Sequence, residues 1–528
     1  MLQSAKGLNG CFSAPHTAAA LAGQAILAKG GTAIEAMVAA AAAIAVVYPH
    51  MNGIGGDGFW LIARPGEPPI AISGCGRAAE RATPEWFANH GHTAAIPTRG
   101  PHAALTVPGT ISSWQLALEQ VAPDRRLPLS ELLASAIALA ERGMVVTGNQ
   151  AACTTAKLDG LKDVPGFAET FLIDGAPPRE GDVLRQPALA RTLQALVSDG
   201  LDSFYRGPIA DAHAAYLEAL GSPLQRSDFQ RFAAEMVEPL SVSLSAGQVF
   251  NLPPPTQGVA SLMILALFDR LKVAEGEGFD HVHGLVEATK QAFLLRNAGL
   301  GDPDVMDEPA NTWLTPERLD ALAGRIDRNK AMSWPVVAKP GDTVWMGAAD
   351  AQGTVVSFIQ SVFWEFGSGV ICPQTGVSFQ NRGAGFSLAP GPNQVGPGRR
   401  PFHTLNPALA RMNDGRVMAY GTMGGEGQPQ TQAAFFSRYA LFGLGLQQAV
   451  TAPRWLLGKT WGDQTTTLKL ENRFPPSLID ALRAAGHALE TIPAFSDMAG
   501  HAGAVIRHPS GVLEGASDPR ADGAALAF

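Results

Sequence analysis

Cysteine is scarce: Cys11, Cys75, Cys153 and Cys372 lie far apart and none sits in a Cys-x-x-Cys pair. That spacing suggests neither a zinc site nor a disulfide framework, and a reduced interior suits the four thiols. Charge is sparse as well, with 16% charged residues, a net charge of −8 and no Lys/Arg run. Tracking a polyanion needs clustered cations, so nucleic acid and anionic membranes gain no support as partners. No apolar stretch is long enough to cross a bilayer. The longest, Ala36 to Tyr48, has 13 residues, short of the ~20 required, and reads as a buried helix. The N-terminal MLQSAKGLNGCFSAPH carries no apolar segment behind a basic one, so no secretory signal is expected and the cytoplasm is the default location.

What is present is a globular composition, 46% hydrophobic over 528 residues, enough for a large core. Two helices are expected across residues 15–48, separated by Gly30-Gly31, with Thr32 and Glu35 forming a capping box for the second. Phe59–Ala63 and Pro68–Ser73 read as a hairpin, and residues 129–330 are mainly helical, interrupted by a strand pair at Leu240 and Gln248 and a rigid Pro253-Pro-Pro255 loop. The clearest hairpin pairs Thr343–Asp350 with Thr354–Ser361 across a Gly-containing turn. Before it runs RIDRNKAMSWPVVAKPGD, a polar, proline-containing connector of the kind that is exposed and cleavable.

Gly53-Ile-Gly-Gly-Asp-Gly58 satisfies G-x-G-x-x-G, but a helix precedes it and a strand follows, the reverse of a dinucleotide site. Its glycines are expected to let the backbone pass close to another segment. His281-x-His283 and His90-x-His92 offer two ligands each without a third, so surface or capping histidines are expected, and neither a metal nor a cofactor. Gly424-Gly425, after the strand Val417–Tyr420, fits an oxyanion hole and a simple tight turn equally well. Thr343 is unremarkable unless the preceding bond breaks, when its own α-amine, titrating near ~8, would serve as base for its hydroxyl.

Several segments in chain order resemble the γ-glutamyltransferase family of N-terminal nucleophile hydrolases over nearly the whole chain. They include Gly30 to Ala36, Pro49 to Phe59, Val107-Pro-Gly109, Pro253 to Gly258, Glu287 to Arg296, Gly301-Asp-Pro303, Phe366-Gly-Ser-Gly369 and the Gly424-Gly425 turn. The resemblance implies an α+β fold, an αββα four-layer sandwich made as a precursor that cuts itself between Asp342 and Thr343. Residues 1–342 would form a helix-rich large subunit and 343–528 a small subunit led by the nucleophile, intertwined and staying together. Thr343 would be the nucleophile, Ser361 its hydroxyl partner, and Gly424 and Gly425 the oxyanion donors. A homodimer of such heterodimers is left open.

The substrate positions depart from the γ-glutamyl pattern. The family's carboxylate-binding Arg aligns with Cys75, its two serines with His403 and Thr404, and its amine-binding Asn, Gln and acidic residue with Phe363, Arg382 and Gly385. No carboxylate for an ammonium remains at those aligned positions. Arg77 or Arg382, with His403 and Thr404, would then hold a substrate carboxylate. The segments GVSFQNRGAGFS, RPFHTLNPA and YGTMGGEGQPQTQ are similar to the oxamate-hydrolysing branch of the family, which acts in purine catabolism and makes oxalate and ammonia. Rival readings are a γ-glutamyl transpeptidase or hydrolase, an acylase with a pocket lined by Trp345, Phe363, Trp364 and Phe402, aromatics that fit a core equally well, and an uncut binding protein, since Val344 and Trp345 replace polar residues after the nucleophile. Thr343→Ala should run as one full-length band on a denaturing gel and turn over nothing. Wild type should give two bands, the smaller sequencing from Thr-Val-Trp-Met; an active, uncut wild type would contradict the reading.

Overall fold

The computed structural model describes residues 3–334, 342–458 and 466–528. The connector is described only as far as Trp334, mostly exposed from Arg325 onward; the rest of the expected cleavable segment lies outside the described residues. Two seven-stranded sheets dominate. One runs Ala524–Ala527, Gly10–Ala14, Asp342–Asp350, Val355–Phe363, Asp57–Ala63, Ile70–Gly74, Glu235–Val237. The other runs Ala5–Gly7, Leu513–Ser517, Ala502–Arg507, Val417–Thr422, Ala408–Met412, Gly247–Asn251, Leu240–Leu244. Each sheet takes strands from both sides of the 342/343 bond.

Alternation along the strands divides the apolar side chains between two faces. In Val355–Phe363, Val355 and Ile359 join Phe59, Leu61, Leu409, Ala419 and Val505 in a cluster shared by both sheets. Val356 and Phe358 point the other way, into a cluster with the helices Thr17–Ala28 and Ala33–Val47. A third cluster joins the outer face of the second sheet to the helices Gly258–Leu271, Phe279–Gly299 and Gln428–Phe436. The helix Ala33–Val47 is buried over its whole length; its alanines permit that close packing, and the expected capping box is present. Glu35 Oε2 accepts from Thr32 N at 2.8 Å while Thr32 Oγ1 accepts from Glu35 N at 3.2 Å.

The glycines of Gly53–Gly58 do what close approach demands. A Cβ on Gly55 would lie 2.1 Å from Ser378 O, and one on Gly56 would lie 2.0 Å from Ser361 O. Trp345 corrects the pocket-lining expectation. Its indole is buried between the sheets, donates to Ser357 Oγ at 2.9 Å and needs Gly347, Gly421 and Gly503 around it, where any Cβ would come within 2.6 Å. All four cysteines are buried, and none forms a disulfide among the described residues. No described helix is long and apolar enough to cross a membrane.

Candidate active site

Thr343 sits one residue inside the strand Asp342–Asp350 and is 1% exposed. Register explains its setting. Asp342 pairs with Phe363 and Val344 with Gln360, so Thr343 alone faces Ser361 and Val362 across a bulge. Ser361 Oγ accepts from Phe363 N at 2.8 Å, fixing the bulged strand where Phe363 adopts φ 82°. A bulge re-aims side chains beside a site, and here it turns the end of one strand around the threonine of the other.

Gln428 reaches the threonine directly, its Nε2 lying 3.4 Å from Thr343 Oγ1. It opens the helix Gln428–Phe436, just after the glycine turn, and so ties that turn to Thr343. Gly424 and Gly425 have φ of 117° and 53°, a succession that only glycine adopts without strain. Among the described residues neither amide N–H donates to another protein group. The carbonyl of Gly425 is pinned instead: Gln257 Nε2 donates to it at 2.9 Å and to Thr404 O at 2.8 Å. Arg296 Nη1 donates to Gln257 Oε1 at 2.7 Å, and its Nη2 pairs with Glu426 at 2.5 Å. A buried lattice of side chains therefore holds the turn with its two N–H groups unspent, as stabilisation of an oxyanion requires.

The second half of the site is electrostatic. Arg382 is 1% exposed, and its guanidinium lies 3.2 Å from the centroid of the Phe363 ring. Only Nη1 is bonded, to Phe402 O at 3.2 Å; Nε and Nη2 have no partner among the described residues. Burial pushes this group down to about 9, opposed by the charges of Asp57 and Glu426 and by Cys75. It is an under-satisfied cation stacked on the residue that pairs with Asp342. Asp57 is fully buried, its Oδ1 accepting from Gly76 N (3.0 Å), Gly109 N (3.2 Å) and Gln380 Nε2 (2.9 Å). His403 Nε2 lies 3.0 Å from Asp57 Oδ2, and His403 Nδ1 lies 3.4 Å from Leu405 N. Burial, reinforced by Arg382, holds His403 well below its ordinary value, and burial pushes Asp57 up to about 7 against its hydrogen bonds.

Of the residues singled out in the sequence, Thr343, Ser361, Gly424, Gly425, Arg382, His403 and Thr404 fall within this connected region. Arg77 does not join it: its guanidinium bonds Glu235 at 2.6 Å and Gly398 O at 3.1 Å, in a partly exposed ion pair. Carboxylates lie nearer than the aligned positions suggested, since Asp57 and Glu426 both act on Arg382. Asp57, Gln257, Arg296, Glu426 and Gln428 were missed as site residues. Asp57 lay hidden in a glycine-rich string whose only visible signal was backbone approach. Asp57, Cys75 and His403 bring ligand atoms within 4.8 Å of one another. Arg382 beside them and three N–H donors already on Asp57 Oδ1 oppose a cation there.

A buried threonine at the head of a hairpin, linked through Gln428 to a turn with open glycine amides, suits an N-terminal nucleophile amidohydrolase. The Gamma-glutamyltranspeptidase family model matches residues 19–528, and the chain belongs to that family. It is 55% identical to the oxamate amidohydrolase proenzyme of Klebsiella pneumoniae subsp. pneumoniae, over 98% of each chain. It is 37% identical to the glutathione hydrolase-like YwrD proenzyme of Bacillus subtilis, over 100% of each. Among solved structures, the cephalosporin acylase from Bacillus halodurans superposes with a TM-score of 0.92 at 33% identity, covering 99% of this chain and 97% of that one.

Because Asp57 is raised from 3.8 to about 7, the folded protein holds a proton there that the unfolded chain releases. That contribution is fully present below the unfolded value and is lost as pH rises through about 7. Asp57→Asn should therefore flatten the pH dependence of the urea midpoint between pH 5 and 8, removing a slope of up to about 1.4 kcal/mol per pH unit. Parallel wild-type and variant profiles would contradict the assignment.

Proposed function

We propose that this chain is an autoprocessing amidohydrolase for a small anionic amide, converting oxamate to oxalate and ammonia. Its three packed clusters support an αββα sandwich, and its buried Thr343 supports cleavage after Asp342. In that cleavage Thr343 Oγ1 attacks the Asp342 carbonyl and the acyl group passes from nitrogen to oxygen. Water then hydrolyses the ester, leaving residues 1–342 and 343–528 associated through their shared sheets, with the α-amine of Thr343 free. In turnover the amine takes the hydroxyl proton, and Oγ1 adds to the amide carbonyl of oxamate. The Gly424 and Gly425 N–H groups stabilise the oxyanion, and the amine returns its proton to the departing ammonia. Water attacks the Thr343 ester in the same way and oxalate leaves.

The observation that carries the substrate's sign is Arg382: a buried guanidinium with Nε and Nη2 unpartnered is costly until an anion completes it. A carboxylate accepts two parallel N–H bonds from that fork. His403 and Thr404 would line the same end, with His403 neutral. The 55% identity to an oxamate amidohydrolase proenzyme supports the same substrate. A second reading as an acylase rests on the cleft of ≈430 Å³ walled by Arg296, Phe402, Asn393 and Glu426, which has room for a longer acyl group.

Purified enzyme should release ammonia from oxamate and act weakly, or not at all, on γ-glutamyl-p-nitroanilide and an aromatic acyl amide. Arg382→Met should raise KM for oxamate by about 100-fold with kcat less affected, while Arg77→Met leaves it near wild type. No ammonia from oxamate, or the two arginine variants exchanging roles, would overturn this assignment.

A further inference from the structure

Histidines two apart on the helix Phe279–Gly299 face different neighbours, as helical geometry requires. His281 lies against Ser437 Oγ at 2.8 Å and accepts from Glu277 N. His283 turns elsewhere: its Nδ1 is 2.8 Å from Nε2 of His487, and its Nε2 is 2.8 Å from Asp327 O. Both helix histidines are buried, which corrects the expectation of surface or capping residues. Glu287, one helical turn beyond His283, presents its carboxylate to the same spot. Ligand atoms of His283, Glu287 and His487 all lie within 4.8 Å of one another, and all three residues are buried.

The hydrogen bonds prepare these groups for a cation. A carbonyl can only accept, so His283 Nε2 carries the proton and Nδ1 offers its lone pair inward. A far N–H anchored on a backbone carbonyl is how metal-bound histidines are oriented. Lys290 Nζ bonds Glu287 Oε1 at 2.6 Å and Met332 O at 2.6 Å, and Met332 N donates to Glu287 Oε2 at 3.1 Å. The carboxylate is thereby fixed and keeps lone pairs to spare; the Lys290 ammonium opposes a second cation, as Arg382 does at Asp57, and two imidazole ligands, where that cluster has one, outweigh it. We propose that His283, Glu287 and His487 form a binding site for a divalent transition ion of the zinc class, remote from the nucleophile.

Two imidazole nitrogens and one carboxylate oxygen suit Zn²⁺ or Co²⁺, whereas Mg²⁺ and Ca²⁺ prefer all-oxygen sites. On binding, His487 moves its one proton from Nε2 to Nδ1, so that the Nε2 lone pair and that of His283 Nδ1 both face the ion. Resting on the two-subunit reading, the ion would also tie residues 1–342, which supply His283 and Glu287, to residues 343–528, which supply His487.

The test is titration of chelator-stripped protein with Co²⁺ alone, in wild type and in the uncut Thr343→Ala chain. The expected result is one equivalent bound with the strong visible absorption of four-coordinate Co²⁺, displaced by Zn²⁺, in both proteins. His283→Gln and His487→Gln, each checked for native circular dichroism, should remove the band. His92→Ala should leave it, since His92 belongs to the separate His90–His92–His102 group near the surface. No band, a band surviving both Gln substitutions, or a band lost with His92→Ala would overturn the site. If Thr343→Ala binds Co²⁺ and wild type is never cut, the cleavage reading fails while the metal site stands. In cut protein, Zn²⁺ should raise the urea concentration at which the two chains separate; no change would overturn the tie.

Discussion

A guanidinium without enough partners, buried against Phe363, is the constraint around which this site is organised. Removing a charge from water costs several kcal/mol unless it is paired and hydrogen-bonded, and Arg382 has one hydrogen bond among the described residues. Asp57 and Glu426 supply opposite charge, yet Asp57 Oδ1 already serves three N–H groups and Glu426 pairs with Arg296. The remaining valence of the guanidinium is left for a ligand. In the proposed reading, a cation where the family pattern binds an amine inverts the charge the pocket selects.

The surroundings of Thr343 serve the same end by fixing geometry. A bulge sets Thr343 against Ser361, and Gln428 lies at Thr343 Oγ1. The chain Arg296–Gln257–Gly425 holds the turn that leaves two amides open. Most of these partners come from buried backbone and amide groups, so the reacting region is shaped before any substrate arrives. Preorganised donors cost no reorganisation when charge develops, which is why such a lattice favours acyl transfer.

Local pattern made much of this legible. The capping box at Thr32, the hairpin opening at Thr343 and the strand leading to Gly424 follow from residue types a few positions apart. The αββα expectation came from resemblance and not from periodicity. What the sequence could not convey were contacts between distant segments. Asp57 meets His403 and Gln380 across more than 300 residues, and Gln257 bridges Thr404 and Gly425 from another helix. Trp345 illustrates the converse: its type suggested a pocket wall, but three glycines on neighbouring strands place it in the core. Arg77 and Arg382 were indistinguishable as guanidinium groups until Glu235 was found beside the first.

In the proposed reading, the buried cation stacked on Phe363 selects an anionic amide. Oxamate and oxamide differ only in replacing a carboxylate by a neutral carboxamide of nearly the same shape. Their kcat/KM ratio on the wild-type enzyme isolates charge recognition from size and from the chemistry of the scissile bond. The account predicts a preference for oxamate of about 100-fold or more; equal turnover of the two, or a preference for oxamide, would contradict it.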